Sequence, residues 1–196
     1  MSTEDADYAE RLRRKQTVWW KRAFRVQAPY QWNLRRQDLG PTLDVGCGIG
    51  RNLDTLPAGS LGVDHNPDSV RLAREMGHPV MTVDEFMASD HASEGHFQSL
   101  LFAHVIEHLE PDDARAILTT YLPYARRGGS VMFVCPQERG YASDATHVWF
   151  AQFDELTTLA RDVGLEPSRS WSFPFPRALG RAFIYNEFCV VAKIPG

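Results

Sequence analysis

The stretch LDVGCGIGR at 43–51 limits the fold more than any other part of the chain. An apolar run that ends in glycines at alternating positions reads as a strand entering a tight backbone turn. Gly46, Gly48 and Gly50 let the chain turn where a Cβ would collide and let a ligand approach the backbone. Dinucleotide cradles space their glycines G-x-G-x-x-G and hold a pyrophosphate at a helix N-terminus. Here the third glycine comes one residue early, and Asp44 stands two positions before the first. A carboxylate at that place repels a pyrophosphate and suits an ammonium, so the expected ligand is a cationic nucleoside carrying an amino-acid moiety.

Further along, apolar runs at 42–45, 61–64, 79–83, 99–103 and 130–135 alternate with stretches of helical spacing. That rhythm predicts an α/β fold built on a parallel sheet. Asn66 followed by Pro67 predicts a helix start, as cap and first helical residue. Pro111 predicts a second start, with Gly128 and Gly129 ending that helix and launching the strand SVMFVC. Residues 154–163 predict another helix closed by Gly164. The tail is rich in proline and aromatics at 171–180 and returns as a last strand, EFCVVAKI.

A chain of 196 residues, 43% hydrophobic, predicts one core. The expected division is an N-terminal helical cap at 1–38 and a cofactor-binding domain at 39–196. Within the cap, residues 11–25 carry seven Lys or Arg with Trp19, Trp20 and Phe24, which predicts an amphipathic helix. Apolar runs are of strand length, so no membrane span is expected, and no secretory h-region opens the chain. Three widely spaced cysteines, Cys47, Cys135 and Cys189, make neither a disulfide framework nor a metal knuckle, which points to a reducing cytoplasm. A net charge of −4 argues against broad nucleic-acid binding, leaving room for a local patch.

LDVGCGIGR, then LGVDHNP, VDEF and SLLFAHVIEHL, resembles the class I S-adenosylmethionine-dependent methyltransferases of the small-molecule type. The resemblance runs from about residue 40 to the end. It implies a Rossmann-like, mostly parallel seven-stranded sheet with helices on both faces and an antiparallel last strand. It also implies a division of labour around S-adenosylmethionine. Asp44 and Gly46 would face the methionine part and Gly48 would let the chain pass close to it. Asp64 would bind the ribose hydroxyls, and Asp84 and Glu85 would flank the adenine.

A second cluster, His104, Glu107 and His108, follows the fourth strand. On a helical turn the i, i+3, i+4 spacing puts the three on one face, where they suit either a divalent ion or a base with its orienter. A further histidine, His147, lies in DATHVWFAQFDEL. The set resembles the metal-dependent members of the family, the small-RNA terminal 2′-O-methyltransferases and the ubiquinone-pathway O-methyltransferases. That resemblance implies a divalent metal, Mg²⁺ or Mn²⁺, held by His104, Glu107, His108 and His147, with Glu107 and His108 also catalytic. His104 stands where the family has a glutamate, which makes the site richer in nitrogen and suits Mn²⁺ or Zn²⁺ better than Mg²⁺. A metal-free site with His104 or His108 as base stays open, as does a structural role for His147.

Methylating a sugar or polyol hydroxyl calls for a deprotonated nucleophile of high pKa, and a bound cation lowers that pKa. The expected acceptor is therefore an alcohol with a neighbouring hydroxyl. Trp149 and Tyr185, with Trp171 and Phe173, offer aromatic faces for a sugar ring. The chain is similar in this to saccharide O-methyltransferases of the kind that act in methylmannose polysaccharide synthesis. Terminal RNA ribose methylation and a non-catalytic binding protein are the alternatives.

Overall fold

The computed structural model describes residues 28–196. The expected basic helix at 11–25 lies outside the described residues. A helix, α1, occupies 28–35. Seven strands follow: β1 (Thr42–Val45), β2 (Leu61–Asp64), β3 (Val80–Thr82), β4 (Phe97–Ala103), β5 (Ala125–Pro136), β6 (Glu166–Phe173) and β7 (Glu187–Lys193). Between them run α2 (Pro67–Glu75), α3 (Val83–Met87), α4 (Pro111–Tyr121), α5 (Glu138–Tyr141) and α6 (Phe153–Asp162). The strands form one sheet in the order β3-β2-β1-β4-β5-β7-β6. β7 runs antiparallel to β5 and to β6, and the other pairings are parallel. This is the Rossmann-like sheet expected from the sequence.

Alternation along the central strands supplies two cores. Leu100, Phe102, Val131, Phe133 and Val190 pack against Leu118 of α4 and Leu156 of α6. Their neighbours Leu101, Met132, Val134, Cys189 and Val191 pack on the opposite face with Leu34 of α1. Both faces of the strands are thus covered, as a parallel sheet requires.

The α2 start is as predicted. Asn66 Oδ1 accepts from the N–H groups of Asp68 (2.9 Å) and Ser69 (3.4 Å), a cap worth about 1 kcal/mol. The Gly128–Gly129 pair is placed differently from expectation. α4 ends at Tyr121 and β5 already begins at Ala125, so the glycines lie inside β5, beside the sheet irregularity between Phe97 and Ser99. A Cβ on Gly129 would meet the Gln98 carbonyl oxygen, which explains the glycine by close backbone approach rather than by helix termination. The seventh strand that the resemblance implies, β6, has no signal of its own, because its run EPSRSWSF lacks apolar alternation.

The sheet reverses its winding between β1 and β4. Open α/β sheets bind ligands at the carboxyl edge of such a switch point. The glycine turn follows β1 there, and His104 follows β4.

Candidate active site

A cavity of about 850 Å³ opens at this switch point. Gly46, Gly48 and Asn52 line one side, and His104, Tyr185 and Glu187 line another. α1 helps to roof it: Tyr30 Oη donates to the Tyr185 carbonyl at 2.6 Å, tying the helix to the loop before β7.

The cradle is held from beneath by β2. The N–H groups of Gly46 and Cys47 both donate to the Val63 carbonyl, at 2.8 and 3.1 Å. Asp64 accepts from the Gly48 N–H (2.7 Å) and the Asn66 N–H (2.8 Å), so its carboxylate fixes the turn at the cavity rim. Gly46 has φ of 72°, and a Cβ there would stand 2.5 Å from Val105 Cγ2. Gly48 has φ of 54°, and a Cβ there would meet nothing within 4 Å. One glycine is therefore demanded by packing, while the other borders open ligand space. Gly46→Ala combines left-handed strain with overpacking and should destabilise the fold by about 2–4 kcal/mol. A shifted urea midpoint checks this, and an unchanged midpoint contradicts it.

Asp44 is 1% exposed, and its side chain's hydrogen-bond donor is Asn52 Nδ2, at 3.2 and 3.4 Å from the two oxygens. Burial pushes its pKa up to about 7, the Asn52 bond opposing and the charge of Asp64 adding. A buried carboxylate that poorly supplied is incomplete without a cation, and the cationic amino-acid end of the expected cofactor fits it.

The predicted adenine pair is arranged for local structure. Glu85 Oε2 accepts from the Thr82 N–H (2.8 Å), while Thr82 Oγ1 accepts from the Glu85 N–H (3.3 Å), making a capping box at the start of α3. Glu85 also meets Arg74 Nη2 at 2.6 Å. The Arg74 and Thr82 hydrogen bonds hold its pKa down to about 2. Asp84 beside it is exposed and carries no such contact.

After β4 the chain departs from the expected geometry. His104 has φ of 58°, and a 3-10 turn covers Ile106–His108, so the three residues do not share one helical face. The left-handed His104 turns its ring the other way, between two carboxylates. Its Nδ1 lies 3.1 Å from Glu107 Oε1 and its Nε2 lies 3.0 Å from Glu187 Oε1. Desolvation lowers the His104 pKa, but the hydrogen bonds and charges of Glu107 and Glu187 outweigh it and push it up to about 10. Glu107 and Glu187 thus occupy both nitrogens of His104, so the ring is not turned to an ion shared with His108 and His147.

The structure instead gathers Glu107, His108 and His147, each offering a ligand atom, with these atoms within 4.8 Å of one another. Glu107 is fully buried, and its Oε2 has no hydrogen-bond partner. His147 Nδ1 lies 2.7 Å from the Tyr141 carbonyl, and His108 Nδ1 lies 3.3 Å from the Thr146 carbonyl. The Thr146 hydroxyl, 3.1 Å from His108 Nδ1, gives its own proton to Asp144, so both Nδ1 atoms face acceptors and both Nε2 lone pairs are left available. Backbone carbonyls orient metal-binding histidines in this way. An orphaned buried carboxylate oxygen with two oriented imidazoles fits a divalent ion.

Of the predicted acceptor-binding residues, Tyr185 lines the cavity, whereas Trp149 packs against the core. Trp171 and Phe173 belong to the second core, on β6. Sequence reasoning missed Glu187, whose placement depends on β7. Asn186 Nδ2 donates to Gln137 Oε1 (2.9 Å), and Gln137 Nε2 donates to the Glu187 carbonyl (2.9 Å), a buried hub that fixes the start of that strand. Its signal was a lone acid opening the apolar run EFCVVA at the carboxyl end of neighbouring β5.

Sheet order and the glycine turn at its switch point define a Rossmann-like α/β domain. Residues 43–133 match the family model described as a methyltransferase domain. The fold is similar to that of a SAM-dependent methyltransferase from Archaeoglobus fulgidus, at 18% identity and a TM-score of 0.60, covering 84% of this chain and 92% of that one. It is also similar to the Burkholderia thailandensis 1,6-didemethyltoxoflavin-N1-methyltransferase, at 20% identity and a TM-score of 0.61, covering 97% and 87%. A TehB-like SAM-dependent methyltransferase from Corynebacterium glutamicum shares 22% identity at a TM-score of 0.56, covering 97% and 98%. No curated protein matches the sequence. The shared fold is that of S-adenosylmethionine-dependent methyltransferases, and the family match falls within its first five strands. Among the described residues, no helix is long and apolar enough to cross a membrane.

Proposed function

We propose that the protein is an O-methyltransferase for the hydroxyl of a small polyol or saccharide, assisted by a divalent metal. The observation that carries this reading is the Glu107–His108–His147 group, with its unpartnered buried Oε2 and two Nε2 atoms left free by backbone hydrogen bonds.

S-adenosylmethionine supplies an electrophilic methyl group, whose transfer leaves a neutral thioether and needs no acid. The protein's tasks are alignment and removal of the hydroxyl proton. Asp44 and the Gly46–Gly48 turn would hold the cofactor, and Asp64 its ribose. Glu107, His108 and His147 would hold a metal, which supplies positive charge to an alcohol oxygen. Two His and one carboxylate leave positions for a vicinal pair of hydroxyls. Mn²⁺ suits that donor set better than Mg²⁺.

A second reading has its own support. The three residues are absent from the lining of the 850 Å³ cavity, whereas His104 and Glu187 belong to it. In that reading the Glu187 carboxylate, oriented by His104, receives the hydroxyl proton without a metal, and Glu107 holds the ring from behind.

Stripping the protein with EDTA decides between them. Methyl transfer from labelled cofactor to a panel of sugars and polyols should fall at least about 100-fold, and Mn²⁺ should restore it. Full turnover in EDTA, with metal analysis showing no retained ion, overturns the metal reading in favour of the pair. Transfer confined to amines, or to RNA ends, overturns the acceptor assignment.

A further inference from the structure

A second cleft of about 570 Å³ lies between α1 and the edge strand β6, outside the candidate active site. Trp32, Arg36 and Gln37 line it from the helix side, and Arg169, Trp171 and Phe173 from the strand. No acidic residue lines it. Among the described residues, neither Arg36 nor Arg169 has a carboxylate within ion-pair distance. On a chain of net charge −4, this cleft is a local reversal of sign.

The two guanidinium groups are held in place. Arg36 Cζ stands 4.4 Å from the Trp32 ring centroid, and Arg169 Cζ stands 5.6 Å from that of Trp171. Arg169 Nη2 donates to Gln37 Oε1 at 2.9 Å, and Gln37 Nε2 donates to the Asn33 carbonyl at 2.7 Å. Trp171 Nε1 donates to Asn33 Oδ1 at 3.1 Å. Both guanidinium groups remain exposed beside an indole, and their planar fork suits the oxygens of a phosphate. Trp32 remains 53% exposed, beside the Phe173 ring at 6.4 Å in a stacked arrangement. Fixed unneutralised arginines next to exposed aromatic surface are the combination that binds a phosphate ester joined to a flat ring.

We propose that this cleft binds a nucleoside phosphate, with the phosphate between Arg36 and Arg169 and the base against Trp32. Asn33 lines both this cleft and the active-site cavity, so the ligand sits on the far side of a shared wall from the cofactor. The proposal does not rest on the identity of the methyl acceptor.

Titration of the full chain with inorganic phosphate, UMP and a short oligouridylate, followed through the indole N–H signals of Trp32 and Trp171 by NMR, tests it. Trp32→Phe and Trp171→Phe identify the two signals. UMP should move both at concentrations where inorganic phosphate does not. The Arg36→Gln/Arg169→Gln double variant should bind at least about tenfold more weakly, with S-adenosylmethionine binding unchanged as the check on folding. An oligouridylate that binds more tightly than UMP makes the ligand a strand, and equal affinity makes it a single nucleotide. Unmoved indole signals overturn the proposal. So does phosphate binding as well as UMP, or a double variant that binds UMP as well as the parent.

Discussion

Asp44→Asn should abolish useful S-adenosylmethionine binding and, at the same time, make the cofactor-free protein more stable above neutral pH. The two effects share one cause. Asp44 is 1% exposed and meets the amide of Asn52 at distances of 3.2 and 3.4 Å, which is thin support for a buried charge. In the proposed function a cofactor ammonium would complete the site, and an uncharged amide cannot replace the carboxylate opposite it. Affinity by calorimetry should fall at least about 100-fold, equivalent to about 3 kcal/mol. A loss under about threefold would remove Asp44 from the cofactor site.

The stability effect has a definite sign. Burial holds the native carboxyl near 7 against an ordinary 3.8, so between those pH values the native state keeps a proton that the unfolded chain releases. This contribution is fully present below about pH 4 and is lost as pH rises through about 7, for a total of about 4 kcal/mol. The parent should therefore lose stability relative to Asp44→Asn across that window. Comparing urea midpoints of the two proteins at matched pH isolates the group from other carboxylates such as Glu85 and Glu138, whose lowered pKa values act in the opposite direction. Parallel pH profiles for the two proteins would contradict the assignment. Cofactor affinity in the parent should rise with pH through about 7, because the binding form is the carboxylate.

What the sequence disclosed and what it concealed divide along one line. The glycine turn, the Asn66 cap and the apolar strands are local signals, because a few neighbouring residues determine them. The parallel sheet follows from the same rhythm of strands and helices, while the seventh strand came only with the resemblance. The active site is less local. His104, Glu107 and His108 were readable as a chemical cluster, and His147 as a remote member. Their division was not readable, because it depends on one backbone angle: the positive φ of His104 turns its ring toward Glu187, 83 residues away in sequence. A helical-face argument assumes regular dihedrals, and functional sites are where these fail. Glu85 shows the converse: a residue expected at the adenine is occupied by the capping geometry of its own helix.

That division of the histidines carries the other large prediction. His147→Ala and His104→Asn should separate metal binding from proton transfer. His147 Nδ1 is committed to the Tyr141 carbonyl, so removing the ring deletes one ligand and leaves Glu107 Oε2 and His108 to hold an ion alone. Mn²⁺ affinity, read by calorimetry or by the EPR signal of free ion, should fall at least about 100-fold, and turnover should fall with it. His104→Asn leaves the three proposed ligands in place and keeps the turn, since asparagine tolerates positive φ as histidine does. Its Mn²⁺ affinity should equal or exceed the parent's, because the loss of the ring beside Glu107 removes a competitor for that carboxylate. Turnover in this variant is the informative quantity. If the metal activates the hydroxyl, it should retain measurable activity that still requires Mn²⁺. If Glu187, oriented by His104, accepts the proton, activity should vanish while ion binding persists. Equal loss of Mn²⁺ in both variants would return His104 to the ligand set and overturn the three-residue site.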